Sequence, residues 1–82
     1  MNIYVGNLDF KVDENDLKNI FEEYGSVTEI KIITDKLSGK SKGFGFVTIE
    51  NNSEAVKAIN DLNGSTLESR EIIVNEARPP KR

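Results

Sequence analysis

Lys42-Gly43-Phe44-Gly45-Phe46-Val47-Thr48-Ile49 alternates in a way that suits an extended strand and no other regular backbone. Successive side chains of a strand leave on opposite faces, so Lys42, Phe44, Phe46 and Thr48 share one face while Gly43, Gly45, Val47 and Ile49 share the other. Two phenylalanines on a face that also carries a lysine and a threonine do not belong to a core. The sheet containing this strand is therefore expected to keep one face open, with something flat to cover the rings.

Reading outward, residues 35–41 hold turn formers and lysines, and the run before them, 27–34, is again β-branched with period two. Ile30 and Ile32 point one way, and Glu29, Lys31 and Ile33 the other, so the two runs form a hairpin. Upstream of the hairpin, Leu17, Ile20, Phe21 and Tyr24 follow at helical spacing and stop at Gly25. Asp13 is the expected N-cap of that helix, Asp16 its third residue, and Val12 can staple against Leu17. Phe21 and Tyr24 are expected in the core, and Phe10 at its edge. Residues 2–6 read as a first strand with Ile3 and Val5 inward and Tyr4 outward. Downstream, Ser53 is the expected cap of a second helix carrying Ala55, Ala58, Ile59 and Leu62, closed by Gly64. A last strand over about residues 71–76 turns Ile72 and Val74 inward. The order β-α-β-β-α-β, with right-handed crossovers, gives an α+β ferredoxin-like sandwich: a four-stranded antiparallel sheet with two helices on one face.

Eighty-two residues make one domain, expected over 1–78, followed by a short basic tail over 79–82. The chain has neither cysteine nor histidine, which removes disulfides, thiol nucleophiles, imidazole bases and the usual zinc ligands together. No metal or other cofactor is expected. The start of the chain enters a strand without a basic leader and an apolar stretch, and a cytoplasmic protein without a membrane segment is expected. A net charge of −3 argues, as a total, against a polyanionic partner. Its distribution argues otherwise: Lys31, Lys36, Lys40 and Lys42 face only Asp35 in their segment, and Arg78, Lys81 and Arg82 close the chain without an acid. The acids gather instead around the first helix, at Asp13, Glu14, Asp16, Glu22 and Glu23.

Residues 42–49 resemble the ribonucleoprotein octapeptide of RNA-recognition motifs, K/R-G-F/Y-G/A-F/Y-V-x-F/Y, and depart from it only at Ile49. Strand alternation puts Ile49 on the helix side, so that departure bears on packing and not on contact. Ile3-Tyr4-Val5-Gly6-Asn7-Leu8 is similar to the companion hexapeptide of the same family. The resemblance covers nearly the whole chain and extends to small single-domain bacterial RNA-binding proteins. It implies a non-catalytic module that binds single-stranded RNA and acts in post-transcriptional regulation. Tyr4 and Phe46 would stack on neighbouring bases, Phe44 on a sugar or a third base, and Lys42 would pair with a phosphate. Lys31, Ile33, Ile73 and Asn75 would border the platform, and Arg78 would begin a tail that tracks the backbone. A monomer is expected, with single-stranded RNA as partner, single-stranded DNA as a possible substitute and no small-molecule substrate.

Two other classes fit the same topology. A protein-interaction module would dock a peptide on the sheet or the helices, against which the exposed aromatic set argues. An acylphosphatase-like hydrolase would need a glycine-rich phosphate cradle with arginine after the first strand, where Asp9-Phe10-Lys11 stands. Gly39-Lys40-Ser41 ends like a phosphate-binding loop, but Thr34 occupies the place of the required upstream glycine. Glu68-Ser69 replaces the Asp-Gly pair with which the family usually turns into its last strand, which implies a turn of different shape.

Overall fold

The computed structural model describes residues 1–39 and 41–77; for Ser41 and Lys42 it describes the backbone alone. Strands β1 (Asn2–Gly6), β2 (Val27–Thr34), β3 (Ser41–Ile49) and β6 (Ile73–Glu76) form an antiparallel sheet of order β2-β3-β1-β6. Helices α1 (Glu14–Glu22) and α2 (Asn52–Leu62) cover one face. A two-stranded ribbon, β4 (Thr66–Leu67) with β5 (Arg70–Glu71), stands beside this sheet. The ferredoxin-like arrangement read from the sequence is present.

The helices bury narrow apolar stripes into a single core: Leu17 and Phe21 from α1, and Ala55, Ala58 and Leu62 from α2, meet Ile3, Val5, Val47, Ile49 and Val74 of the sheet. Every side chain of this cluster is apolar, so the core holds no polar group that needs a partner. Helix α1 starts as expected. Asp13 accepts from the Asp16 amide at 2.9 Å, and Asp16 accepts from the Asp13 amide at 3.1 Å, closing a reciprocal capping box.

Four expectations change. Helix α2 is capped by Asn51 and not Ser53: the Asn51 carboxamide accepts from Glu54 N–H at 3.0 Å, two residues earlier than the apolar pattern alone places it. The last strand is divided. Residues 70–71 pair with β4, β6 begins at Ile73, and Ile72 between them is buried, with its N–H donating to the Ser65 carbonyl. Phe10 is 70% exposed and not at the core edge, because Leu8 and Val12 on either side fill the core. Hydrogen bonds from Lys11 N–H and Val12 N–H to Asp9 fold that loop into a turn with Phe10 outside it. Tyr24 lies past the end of α1 and is half-buried, packed against the core and not inside it.

Tyr24 also links the end of α1 to Asp61 of α2. Its phenol ionises above the ordinary 10.0, through burial first and then through the charge of Asp61 and a hydrogen bond to it, with Glu23 adding to the effect. A phenol whose pKa is raised by folding is held neutral, so its contribution to stability is complete below pH 10 and lost as pH climbs through the folded value. Asp61→Asn is expected to move the tyrosinate absorbance transition of Tyr24 to lower pH.

The ribbon turns through Glu68 and Ser69, with φ of 50° and 73°. Positive φ at both central residues is the mark of a type I′ hairpin turn, which favours Asn-Gly because other residues resist the left-handed region. Glu68-Ser69 reaches the same geometry with neither residue. Ser69→Gly is expected to raise the unfolding free energy by about 0.5–1 kcal/mol, measured by urea denaturation.

Candidate nucleic-acid interface

The open face of the sheet is organised in transverse rows set by the strand register. Lys31 pairs with Phe46, Phe46 with Tyr4, and Tyr4 with Asn75, so four residues named from separate parts of the sequence form one row across all four strands. One step along, Gly6 pairs with Ile73, and Phe44 lies two residues from Phe46 on β3. Ile73 is 45% exposed, an unusual degree for isoleucine in a sheet and one that leaves apolar surface beside the rings. Ile33 is half-buried and falls where the β2–β3 register shifts between Ile32 and Thr34, at the rim of the platform.

The three aromatic rings pack on one another. Tyr4 and Phe44 are 6.0 Å apart at 32°, Tyr4 and Phe46 5.9 Å at 63°, and Phe44 and Phe46 6.2 Å at 88°. Such tilted and edge-on contacts stabilise the rings in place while leaving them only half-buried. Because no two are parallel, one flat ligand cannot lie on all three. The arrangement suits separate planar groups, each on its own ring.

Glycines make this geometry possible. A side chain at Gly6 would run into the Tyr4 ring, with Cε2 and Cζ at 2.7 Å from its Cβ position, so Tyr4 lies down over Gly6. A side chain at Gly45 would strike the Lys31 carbonyl and approach Ile32 Cα to 3.1 Å, so glycine there lets β2 and β3 close up between the two phenylalanines. Gly43 has φ of 89°, and its carbonyl accepts from Leu8 N–H at 2.8 Å, which ties the end of the hexapeptide to the start of the octapeptide.

The register thus brings together Tyr4, Phe44, Phe46, Lys31, Ile73 and Asn75, with Ile33 at the rim. Lys42 belongs to β3, but its side chain is outside the described residues, as are Arg78 and the basic tail. Sequence reading missed Gly6 as the bed of the Tyr4 ring. It also missed Asn7, which adopts φ of 58°, donates to the Glu71 carbonyl at 2.7 Å and accepts from Arg70 at 3.3 Å. Asn7 stands in the hexapeptide, and asparagine's tolerance of the left-handed region was the available signal. Among the described residues no group of acidic side chains is arranged to hold a metal, and no helix is long and apolar enough to cross a membrane.

The model of the RNA recognition motif matches residues 3–73. The chain belongs to that family. Among relatives of this RNA recognition motif, a 29 kDa chloroplastic ribonucleoprotein of Arabidopsis thaliana is 53% identical over 81 residues, 96% of this chain and 24% of that protein. The chain thus spans about a quarter of the length of that chloroplast relative. The putative RNA-binding protein RbpA of Synechocystis is 46% identical over 79 residues, and there the match covers 78% of the relative. The crystal structure of RNA binding protein PG1 superposes with a TM-score of 0.93 at 45% identity and covers 99% of each chain. A Sxl-lethal protein–RNA complex superposes at 0.88 with 37% identity, over 93% of this chain and 47% of that one. RNA is thus named both in the family description and in those of these relatives.

Proposed function

We propose that this RNA recognition motif binds single-stranded RNA by stacking two or three unpaired bases on Tyr4, Phe46 and Phe44, with Lys31 and Asn75 at the two ends of the central row. The observation that carries the reading is the row itself. Phe46 and Tyr4 lie between a cation and a carboxamide on the sheet face opposite the helices, with Phe44 packed against both, and all three rings are half-buried. Exposed π-faces take unpaired bases of any sequence at roughly 1–3 kcal/mol each. A duplex hides those faces in its own stack. Lys42 and the tail from Arg78 onward supply phosphate contacts in this reading, Ile73 and Ile33 apolar rims, and Asn75 a hydrogen bond to a base edge.

The acidic body limits non-specific attraction. Around two to four phosphates are neutralised, so log affinity should fall against log salt with a slope between about −1.4 and −2.8. Fluorescence anisotropy with a labelled short single strand and with the same strand annealed to its complement tests both points. Binding of the single strand at least about tenfold tighter, with that shallow slope, is expected. Equal affinity for the duplex, or a much steeper slope, would replace the stacking platform with a phosphate-driven surface. The chain acts as a monomer in post-transcriptional regulation in this reading, accepts single-stranded DNA as well and works in the cytoplasm. Cyanobacterial relatives matched over most of their length support a free-standing module of this kind.

A further inference from the structure

Beside the aromatic row runs a polar one. Thr48 pairs with Asn2 on β1 and with Glu29 on β2, so Glu29, Thr48 and Asn2 line the next step of the open face. A register shift between Val27 and Glu29 sets Glu29 opposite Thr48, while the Thr28 hydroxyl donates to the Thr48 carbonyl at 3.3 Å and Ile30 packs against the core. The Thr48 hydroxyl donates to Asn2 Oδ1 at 2.9 Å. That bond orients the carboxamide and leaves Asn2 Nδ2 as a donor without a partner among the described residues. The Glu29 carboxylate, exposed at the sheet edge, likewise has no ion pair or hydrogen bond among them.

From this row we infer that the chain selects a guanine beside the stacked bases, a step that rests on the stacking reading above. An ionised carboxylate only accepts hydrogen bonds, and next to a polyanion it repels every phosphate. Its favourable partner on RNA is a base edge with donors. Guanine alone presents two adjacent donors, N1–H and the N2 amino group, which a carboxylate takes in bidentate fashion. Adenine places an acceptor at N1, and cytosine and uracil set acceptors beside their single donor groups. On the far side of the purine, O6 and N7 are acceptors, the complement of Asn2 Nδ2. Glu29 and Asn2 stand two strands apart, roughly 10 Å between backbones, a gap that a purine with a hydrogen bond at each edge spans. Thr48, small and between them, is the floor.

The test uses the full chain and three uridine-rich RNA oligonucleotides that differ at one central base: guanine, adenine or hypoxanthine, which lacks the N2 amino group. The readout is the ratio of affinities, which a general change in binding does not move. The wild-type chain is expected to prefer guanine over adenine by about tenfold, with hypoxanthine between them. Glu29→Gln, an exposed and nearly isosteric change, is expected to bring the guanine-to-adenine ratio to within about twofold. A wild-type chain without that preference, or a preference that survives Glu29→Gln, overturns the inference and leaves the stacking platform standing. Failure to bind any of the three overturns the platform and the guanine site together.

Discussion

Replacing Tyr4, Phe44 and Phe46 together by alanine should weaken binding of a short single-stranded RNA by about 1.5 to 6 orders of magnitude. The estimate follows from two or three lost stacking contacts at roughly 1–3 kcal/mol each, with 1.4 kcal/mol to the decade. Anisotropy titration measures it directly. The fold should survive, because the rings lie outside the buried cluster that joins sheet and helices, and circular dichroism of the variant checks this. The losses of the three single replacements should together exceed that of the triple replacement. Each ring is propped by the other two, so removing one also loosens its neighbours.

Phe21→Ala should have the opposite signature. Phe21 is fully buried on the core stripe of α1 with Leu17, and deletion of a core phenylalanine typically removes about 3–5 kcal/mol. For 82 residues total stability is of order 4–12 kcal/mol, so a large share of the folded population is at stake. Urea denaturation should show a much lower midpoint, while RNA affinity of the remaining folded fraction changes little. The same residue type therefore serves two purposes, and the backbone period that carries it decides which. Phe21 recurs with Leu17 and Ile20 at helical spacing, whereas Phe44 and Phe46 alternate with glycines along a strand.

That difference of period is why so much of the fold was legible before any coordinates. β1 and β3 alternate along their length, β2 alternates between its two register shifts, and α1 announces itself through Asp13, Asp16 and the Leu17–Phe21 stripe. The central row could be anticipated because antiparallel pairing of two recognisable strands brings Tyr4 to Phe46. The β4–β5 ribbon was not legible, since strands of two residues have no period, and its turn uses Glu68 and Ser69 where glycine or asparagine would have signalled it. The cap of α2 was misplaced by two residues because Asn51 and Ser53 are both good caps, and only the hydrogen bond to Glu54 N–H separates them. Phe10 was misjudged because burial in a loop depends on which way a local turn throws the side chain, here the turn built on Asp9. The Thr48–Asn2 bond and the bulge that presents Glu29 arise only from register, which no single segment contains.

The central claim is that unpaired bases are held on the sheet face by Tyr4, Phe44 and Phe46, and a nuclear magnetic resonance titration of the full chain with a short single-stranded RNA tests it most directly. Aromatic resonances of these three residues, and backbone amides of β1 and β3, should show the largest shifts, with contacts between their ring protons and base protons. Resonances of the exposed outer surface of the helices, such as Val56 on α2, should stay in place. Shifts concentrated on the helices, with the three rings unmoved, would contradict the account.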